Sequence, residues 1–224
     1  RGSASTSTIA AGAGGCAAVK LLAIETATGA CSAALQVDGE LASRHEEMPR
    51  GHAERILPMV DELLAAAGVA LGQLDAIAFG RGPGGFTGLR LAASVVQGLA
   101  FGAGLPVLPV STLRAVAQVA LELDGQAEAV LACNDARMHE VYWAGFLRDP
   151  AGLAAEASPE RVGAADSVLL PALLQGRVVR GAGRGFVAYP ALGERLGLAR
   201  GPAWTLLPSA AAVLRLAVPD WLAG

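Results

Sequence analysis

The chain has 224 residues and a mass of 22.5 kDa; 53% of the residues are hydrophobic and 17% charged, and the mean hydropathy is +0.46. That is too apolar and too weakly charged for a disordered chain, and long enough for one large domain or two small lobes. A net charge of −3, from 17 basic and 20 acidic residues, makes the chain a poor stand-alone nucleic-acid binder, because phosphate attraction needs a basic surface, although a local basic patch stays open.

Residues 1–18 are mostly Ala, Gly, Ser and Thr without the basic, apolar and cleavage regions of a signal peptide; they are expected to be a flexible tail or a cloning remnant outside the fold. Lys20 to Glu25 (KLLAIE) has strand length and a continuous apolar run. Cys31 to Val37 and Glu40 to Glu46 flank Asp38-Gly39, a strong two-residue hairpin signal, so three antiparallel strands open the fold. Ile56, Leu57, Val60, Leu63, Leu64 and Ala67 recur at helical spacing, and Gly68 ends that helix. Pro58 fits only its first turn or kinks it. Leu74 to Phe79 is a buried strand, Gly80 to Gly88 a glycine-rich loop, and Thr87 a cap for a helix running to about Phe101. Pro106 to Val110 is a second buried strand, and Ser111 or Thr112 caps a helix to about Leu123. Leu91 to Leu113 carries no charge, but Pro106, Pro109 and three glycines break it into helix, turn and strand rather than a membrane span.

Strand–helix–strand units pair their strands in parallel through right-handed crossovers. The first lobe, residues 19–123, is therefore an α/β unit around a mixed five-stranded sheet. Residues 124–224 form a smaller α/β lobe. It starts with a hairpin, Ala129 to Cys133 and Val141 to Phe146, around Asn134 to Glu140. A loop from Pro150 to Asp166, a short helix over Leu169 to Gln175, a strand at Val178 and Val179, and a helix over Phe186 to Leu196 follow. A last helix, Ser209 to Val218, is capped by Ser209.

Gly80, Gly82 and Gly85 match the dinucleotide fingerprint literally, after a strand and before a helix. No Asp or Glu lies between Asp75 and Glu122 to hold a ribose, and the Lys-Ser/Thr of a phosphate-cradling loop is absent. Arg81, Gly82, Gly84 and Gly85 remain a candidate anion or nucleotide loop; the alternative is that the glycines only permit a tight turn. His52 has no partner one turn away, since the neighbours at that spacing are Met48 and Ile56, so no helical metal site is encoded. It reads as a capping or interface residue, and His139 as solvent-facing. Cys16, Cys31 and Cys133 form neither a disulfide framework nor a zinc site by spacing. No nucleophile elbow or triad is present. Glu25, ending a buried strand, is the carboxylate that the sequence places most firmly. Gly88, Ala92, Ala93, Val96, Ala100 and Gly102 let another element approach their helix closely, either the chain's own sheet or a second subunit.

At LLAIETATGACSAAL, HAERILPMVDELL, GRGPGGFTGLRLA and NDARMHEVYWA the chain resembles the TsaB (YeaZ) family, over about Leu21 to Phe146. The resemblance implies the actin-like ATPase fold of sugar kinases, Hsp70 and actin, with two lobes. It also implies a cytoplasmic, membrane-free partner subunit in the transfer of a threonylcarbamoyl group to adenosine 37 of tRNA. Such a subunit is not catalytic on its own. It docks a TsaD-like catalytic paralogue through two helices, is a homodimer when alone, is joined by a TsaE-like ATPase, and meets tRNA only through the complex. The docking residues implied are His52, Ile56, Met59, Val60, Leu63, Leu89, Ala92, Ala93 and Val96. TsaD-like sequences carry I-E-T-S-C-D-E-T and H-x-x-x-H; this chain has Gly29 and Ala30 at the acidic positions and Met48 before His52, so no metal and no catalytic residue are expected. ATP or ADP at the subunit interface stays open, as does the alternative of a stand-alone nucleotide-binding hydrolase or kinase of the same fold. A protease is disfavoured for want of a nucleophile and base.

Overall fold

The structure is a computed structural model and describes residues 5–9 and 19–224. The chain divides into two compact units, Arg1–Thr112 with Ser209–Gly224, and Leu113–Pro208. The first unit holds a six-stranded sheet rather than five, because β1 (Ser5–Ile9) pairs antiparallel with a later strand. This corrects the placement of residues 1–18 outside the fold for 5–9; the remainder of that stretch, Cys16 included, lies outside the described residues.

The three opening strands follow as read: β2 (Lys20–Glu25), β3 (Ala30–Val37) and β4 (Glu40–Glu47). Asp38 and Gly39 have φ of 49° and 92°, the two left-handed residues that a tight hairpin of matching twist requires. β1 lies along β4. α1 (His52–Ala67) runs through Pro58, which leaves the Glu54 carbonyl without its helical partner. Pro58 is exposed, so water can take that carbonyl, and the helix continues. β5 (Ala76–Gly80), α2 (Phe86–Ala103) and β6 (Val107–Val110) complete the crossovers, with β2, β5 and β6 parallel. The order is β1-β4-β3-β2-β5-β6. β6 is an edge strand rather than a buried one: Val107 is 36% exposed, and Pro109, which cannot donate to a ladder, is tolerated at the edge.

α1 and α2 pack one face of the sheet. Ile56, Met59, Val60 and Leu63 of α1 and Ala92, Val96 and Ala100 of α2 meet Leu22, Ile24, Cys31, Ala33, Leu35 and Ile77. On the surface, Arg55 joins Glu46 at 2.8 Å and Glu62 at 2.7 Å, and Arg44 reaches Glu62 at 3.2 Å, tying α1 to β4. By length and composition alone α2 could cross a membrane; here its inner stripe is core and a large part of its length lies outside that core.

The second unit begins with α3 (Thr112–Leu123), less its first residue, and the hairpin β7 (Ala129–Arg137) and β8 (Glu140–Arg148). The stretch expected to be loop contains two short strands, β9 (Ala154–Glu156) and β10 (Arg161–Ala164), both paired with β8. β11 (Val179–Ala182) lies parallel to β7. The helix expected over Phe186 to Leu196 is two, α4 (Gly185–Ala188) and α5 (Pro190–Arg195), because Pro190 pushes Tyr189 out of the helical region. Phe186 stacks on Trp204 at 5.2 Å between ring centroids in this unit's core.

The tip of the β7–β8 hairpin is strained. Arg137, Met138 and His139 have φ of 66°, 51° and 65°, a region costing non-glycine residues roughly 1 kcal/mol or more each. Met138 is 91% exposed, so burial offers no compensation. Replacing Met138 and His139 by Asn and Gly should raise the denaturant midpoint of this unit, read from Trp143 and Trp204 fluorescence, by the equivalent of roughly 1–2 kcal/mol.

The chain then returns to the first unit. α6 (Ala210–Ala223) is capped by Ser209, whose Oγ accepts from Ala212 N–H at 3.2 Å. Its Ala212, Val213, Leu214, Leu216 and Ala217 are buried, and it lies on β2, β3 and β5. This corrects the boundaries at 123/124 and 224. The face of the first sheet that α1 and α2 leave bare needs an apolar cover, and the last helix supplies it.

Candidate functional site

The glycine loop sits at the carboxyl ends of β2 and β5, where open α/β sheets place their sites. Glu25 ends β2 and is fully buried. Its Oε1 accepts from Ala27 N–H at 2.6 Å and its Oε2 from the Thr112 hydroxyl at 3.1 Å. Among the described residues no cation offsets its charge. Burial therefore pushes its pKa up to about 7, against the opposing pull of the Ala27 N–H and the Thr112 hydroxyl. The carboxylate occupies the space that a Cβ on Gly80 would fill, so a side chain there would collide with Oε2.

Gly84 and Gly88 admit the β2–β3 turn in the same way. A Cβ on Gly84 would lie 2.5 Å from the Ala27 carbonyl oxygen, and one on Gly88 would strike the Thr26 carbonyl. In return the Thr26 hydroxyl donates to Gly88 O at 2.8 Å, and Gly85 N–H donates to Ala27 O at 2.7 Å. Gly82 has φ of 99°, which only glycine adopts without strain. Its N–H donates to the Thr112 hydroxyl at 3.2 Å, and its carbonyl accepts from Thr112 N–H at 2.8 Å. The Thr112 hydroxyl thus turns away from α3, for which Ser111 or Thr112 was the expected cap. Thr87 does not cap α2 either, because the helix starts one residue earlier, at Phe86 after Gly85.

These bonds bear on the anion or nucleotide loop expected at Arg81, Gly82, Gly84 and Gly85 by engaging three of its four backbone donors. The N–H groups of Gly82 and Gly85 are spent within the chain, and that of Arg81 donates to Val110 O at 2.8 Å. The loop as folded is a clasp on the β2–β3 turn.

His52, half-buried at the start of α1, places Nε2 3.2 Å from Thr28 O, a bond that needs the proton on Nε2. It ties the helix to the same turn. Met48 packs against the core, Gly29 is exposed and Ala30 is fully buried. Among the described residues no group of three His, Cys, Asp or Glu side chains could hold a metal ion. Burial pushes the Cys31 thiol up to about 11 and Cys133 to about 12, so neither is a ready thiolate nucleophile. His139 is exposed.

The docking residues implied by the resemblance need correction in position. Ile56, Met59, Val60, Leu63, Ala92 and Val96 are at most 1% exposed and belong to this chain's own core; His52, Leu89 and Ala93 are half-buried. The outward side of the two helices consists of other residues. Leu57 of α1 is 45% exposed, and Phe101, near the carboxyl end of α2, is 93% exposed. Beside Phe101, Gly98 and Gly102 would meet nothing within 4 Å if given a Cβ. A glycine inside a helix, as at Gly98, costs about 1 kcal/mol relative to alanine, and none of the described residues comes close enough to require it; Gly102 lies in the last turn of α2. Gly102 was legible in the sequence as a small-residue position, whereas Gly98 and Phe101 were not singled out.

A family model described as TsaD, tRNA N6-adenosine threonylcarbamoyltransferase, matches residues 43–178. The tRNA threonylcarbamoyladenosine biosynthesis protein TsaB of Escherichia coli K12 is 43% identical over 205 residues, covering 89% of this chain and 86% of its own. The TsaB protein of Haemophilus influenzae is 57% identical over 129 residues, 58% of this chain; the match spans about half, 54%, of that relative's length. Among solved structures, YeaZ from Pseudomonas aeruginosa superposes with a TM-score of 0.82 at 44% identity, covering 92% of this chain and 93% of the other.

Proposed function

Because this chain belongs to the TsaB (YeaZ) family, we propose that it serves tRNA threonylcarbamoyladenosine biosynthesis as a cytoplasmic, non-catalytic subunit that docks a TsaD-like paralogue through the outward side of α1 and α2. The observation that carries this reading is Gly98, open to solvent inside α2, with Gly102 open in the last turn beside the 93% exposed Phe101. Glycine there costs helix stability and is offset only if another backbone comes close. A face of this kind suits helix-on-helix packing at small interaxial distance, with Phe101 and Leu57 entering the partner. When the chain is alone, a second copy can cover the same face, giving a homodimer that competes with the paralogue. TsaE-like ATPase, any ADP or ATP at the interface, and tRNA then join the assembly rather than the free subunit.

The alternative, a stand-alone hydrolase or kinase, would need loop donors free for phosphate, and those of Arg81, Gly82 and Gly85 are engaged. Replacing Gly98 with Trp should leave the circular dichroism spectrum unchanged, since the position is open, and weaken heterodimer formation by tenfold or more in analytical ultracentrifugation. Unchanged pairing would reject the face.

A further inference from the structure

We propose that Phe86 and Arg90, in the first turns of α2, form a stacking platform for an unpaired base and adjacent phosphate of an RNA. The identity of the RNA as a tRNA rests on the reading above. Phe86 is 68% exposed, and the Arg90 guanidinium lies over its ring, 3.8 Å from the centroid. Among the described residues Arg90 forms no ion pair, so its N–H edge is not committed to a carboxylate. From Ala76 to Thr112 the chain carries Arg81 and Arg90 and no acidic residue. On a chain of net charge −3, α2 itself carries Arg90 and no acidic residue, so the helix brings no negative charge beside Phe86 to repel a phosphate.

An aromatic ring with a cation on one side and solvent on the other fits an extruded nucleobase. Bases stack on aromatic and guanidinium planes without sequence readout, and the guanidinium can bridge to a phosphate. The site is small and the chain acidic, so affinity of the free subunit is low and the platform adds to contacts made elsewhere in an assembly.

The test uses the whole chain with its catalytic paralogue and an unmodified tRNA transcript in filter binding at two salt concentrations. Phe86→Ala and Arg90→Gln should each weaken tRNA binding about tenfold, Phe86→Trp should retain it, and Arg90→Gln should reduce the salt slope by about one. Heterodimer formation, followed in the same samples, should not change. Unchanged tRNA affinity overturns the proposal, and so does loss of the heterodimer on Phe86→Ala, which would make Phe86 a protein contact. A second measurement does not depend on the paralogue: the Phe86→Trp chain alone, titrated at low salt with single-stranded oligoadenylate, should show quenching of the new Trp, and Arg90→Gln should remove it. If the wild-type chain fails to pair, the docking reading falls while the quenching still decides the platform; no quenching overturns it.

Discussion

Replacing Glu25 by Gln should largely remove one pH dependence of stability from the protein. The group has an ordinary pKa of 4.5 when unfolded and about 7 when folded, so folding takes up a proton between those values. Its stabilising contribution is complete below about pH 4.5 and is lost as pH rises through about 7. At about 1.4 kcal/mol per pKa unit, the ionised carboxylate costs the folded state on the order of 3 kcal/mol at pH 8. Glutamine keeps the acceptor for Ala27 N–H and cannot ionise. The thermal midpoints of the two chains should therefore diverge above pH 7, with the variant the more stable, and converge or cross near pH 5. His45 works in the opposite sense, because burial lowers its pKa, so the difference between the chains is the quantity to follow. A difference that does not change from pH 5 to 8 would mean that Glu25 is ionised in place.

Two glycines of the same helix should respond to alanine with opposite signs. Gly88→Ala drives a Cβ into the Thr26 carbonyl, a backbone atom that cannot swing aside, and the clasp must open. The expected loss is roughly 3 kcal/mol, at the upper end of overpacking, read from chemical denaturation. Gly98→Ala meets open space and should stabilise the helix by about 0.5–1 kcal/mol. Equal effects at the two positions would show that α2 is not seated as described.

The order of strands and crossovers was legible because each element carries its own period and punctuation. KLLAIE is apolar on both faces because β2 is central, and Asp38-Gly39 fixes the first hairpin. What escaped depends on pairs of segments far apart in the chain. The purpose of Gly80, Gly84 and Gly88 is set by Glu25, Thr26 and Ala27, more than fifty residues earlier, and no local pattern announces a close approach. The orientation of α2 escaped for a related reason. A helix apolar on more than one side does not declare which stripe faces its own sheet, so Ala92 and Val96 were read as a docking face although they are core. β1, made of Ser, Thr and Ile beside the edge of β4, has too little apolar alternation to be seen.

If the protein works by being held against a catalytic relative rather than by its own chemistry, one measurement tests this most directly: threonylcarbamoyl transfer to tRNA by purified chain, purified TsaD-like paralogue and both together, with the remaining components constant. The account predicts no transfer by the chain alone, and full transfer with both that falls at least tenfold with Gly98→Trp. Transfer by the chain without the paralogue, or full transfer with the variant, would contradict it.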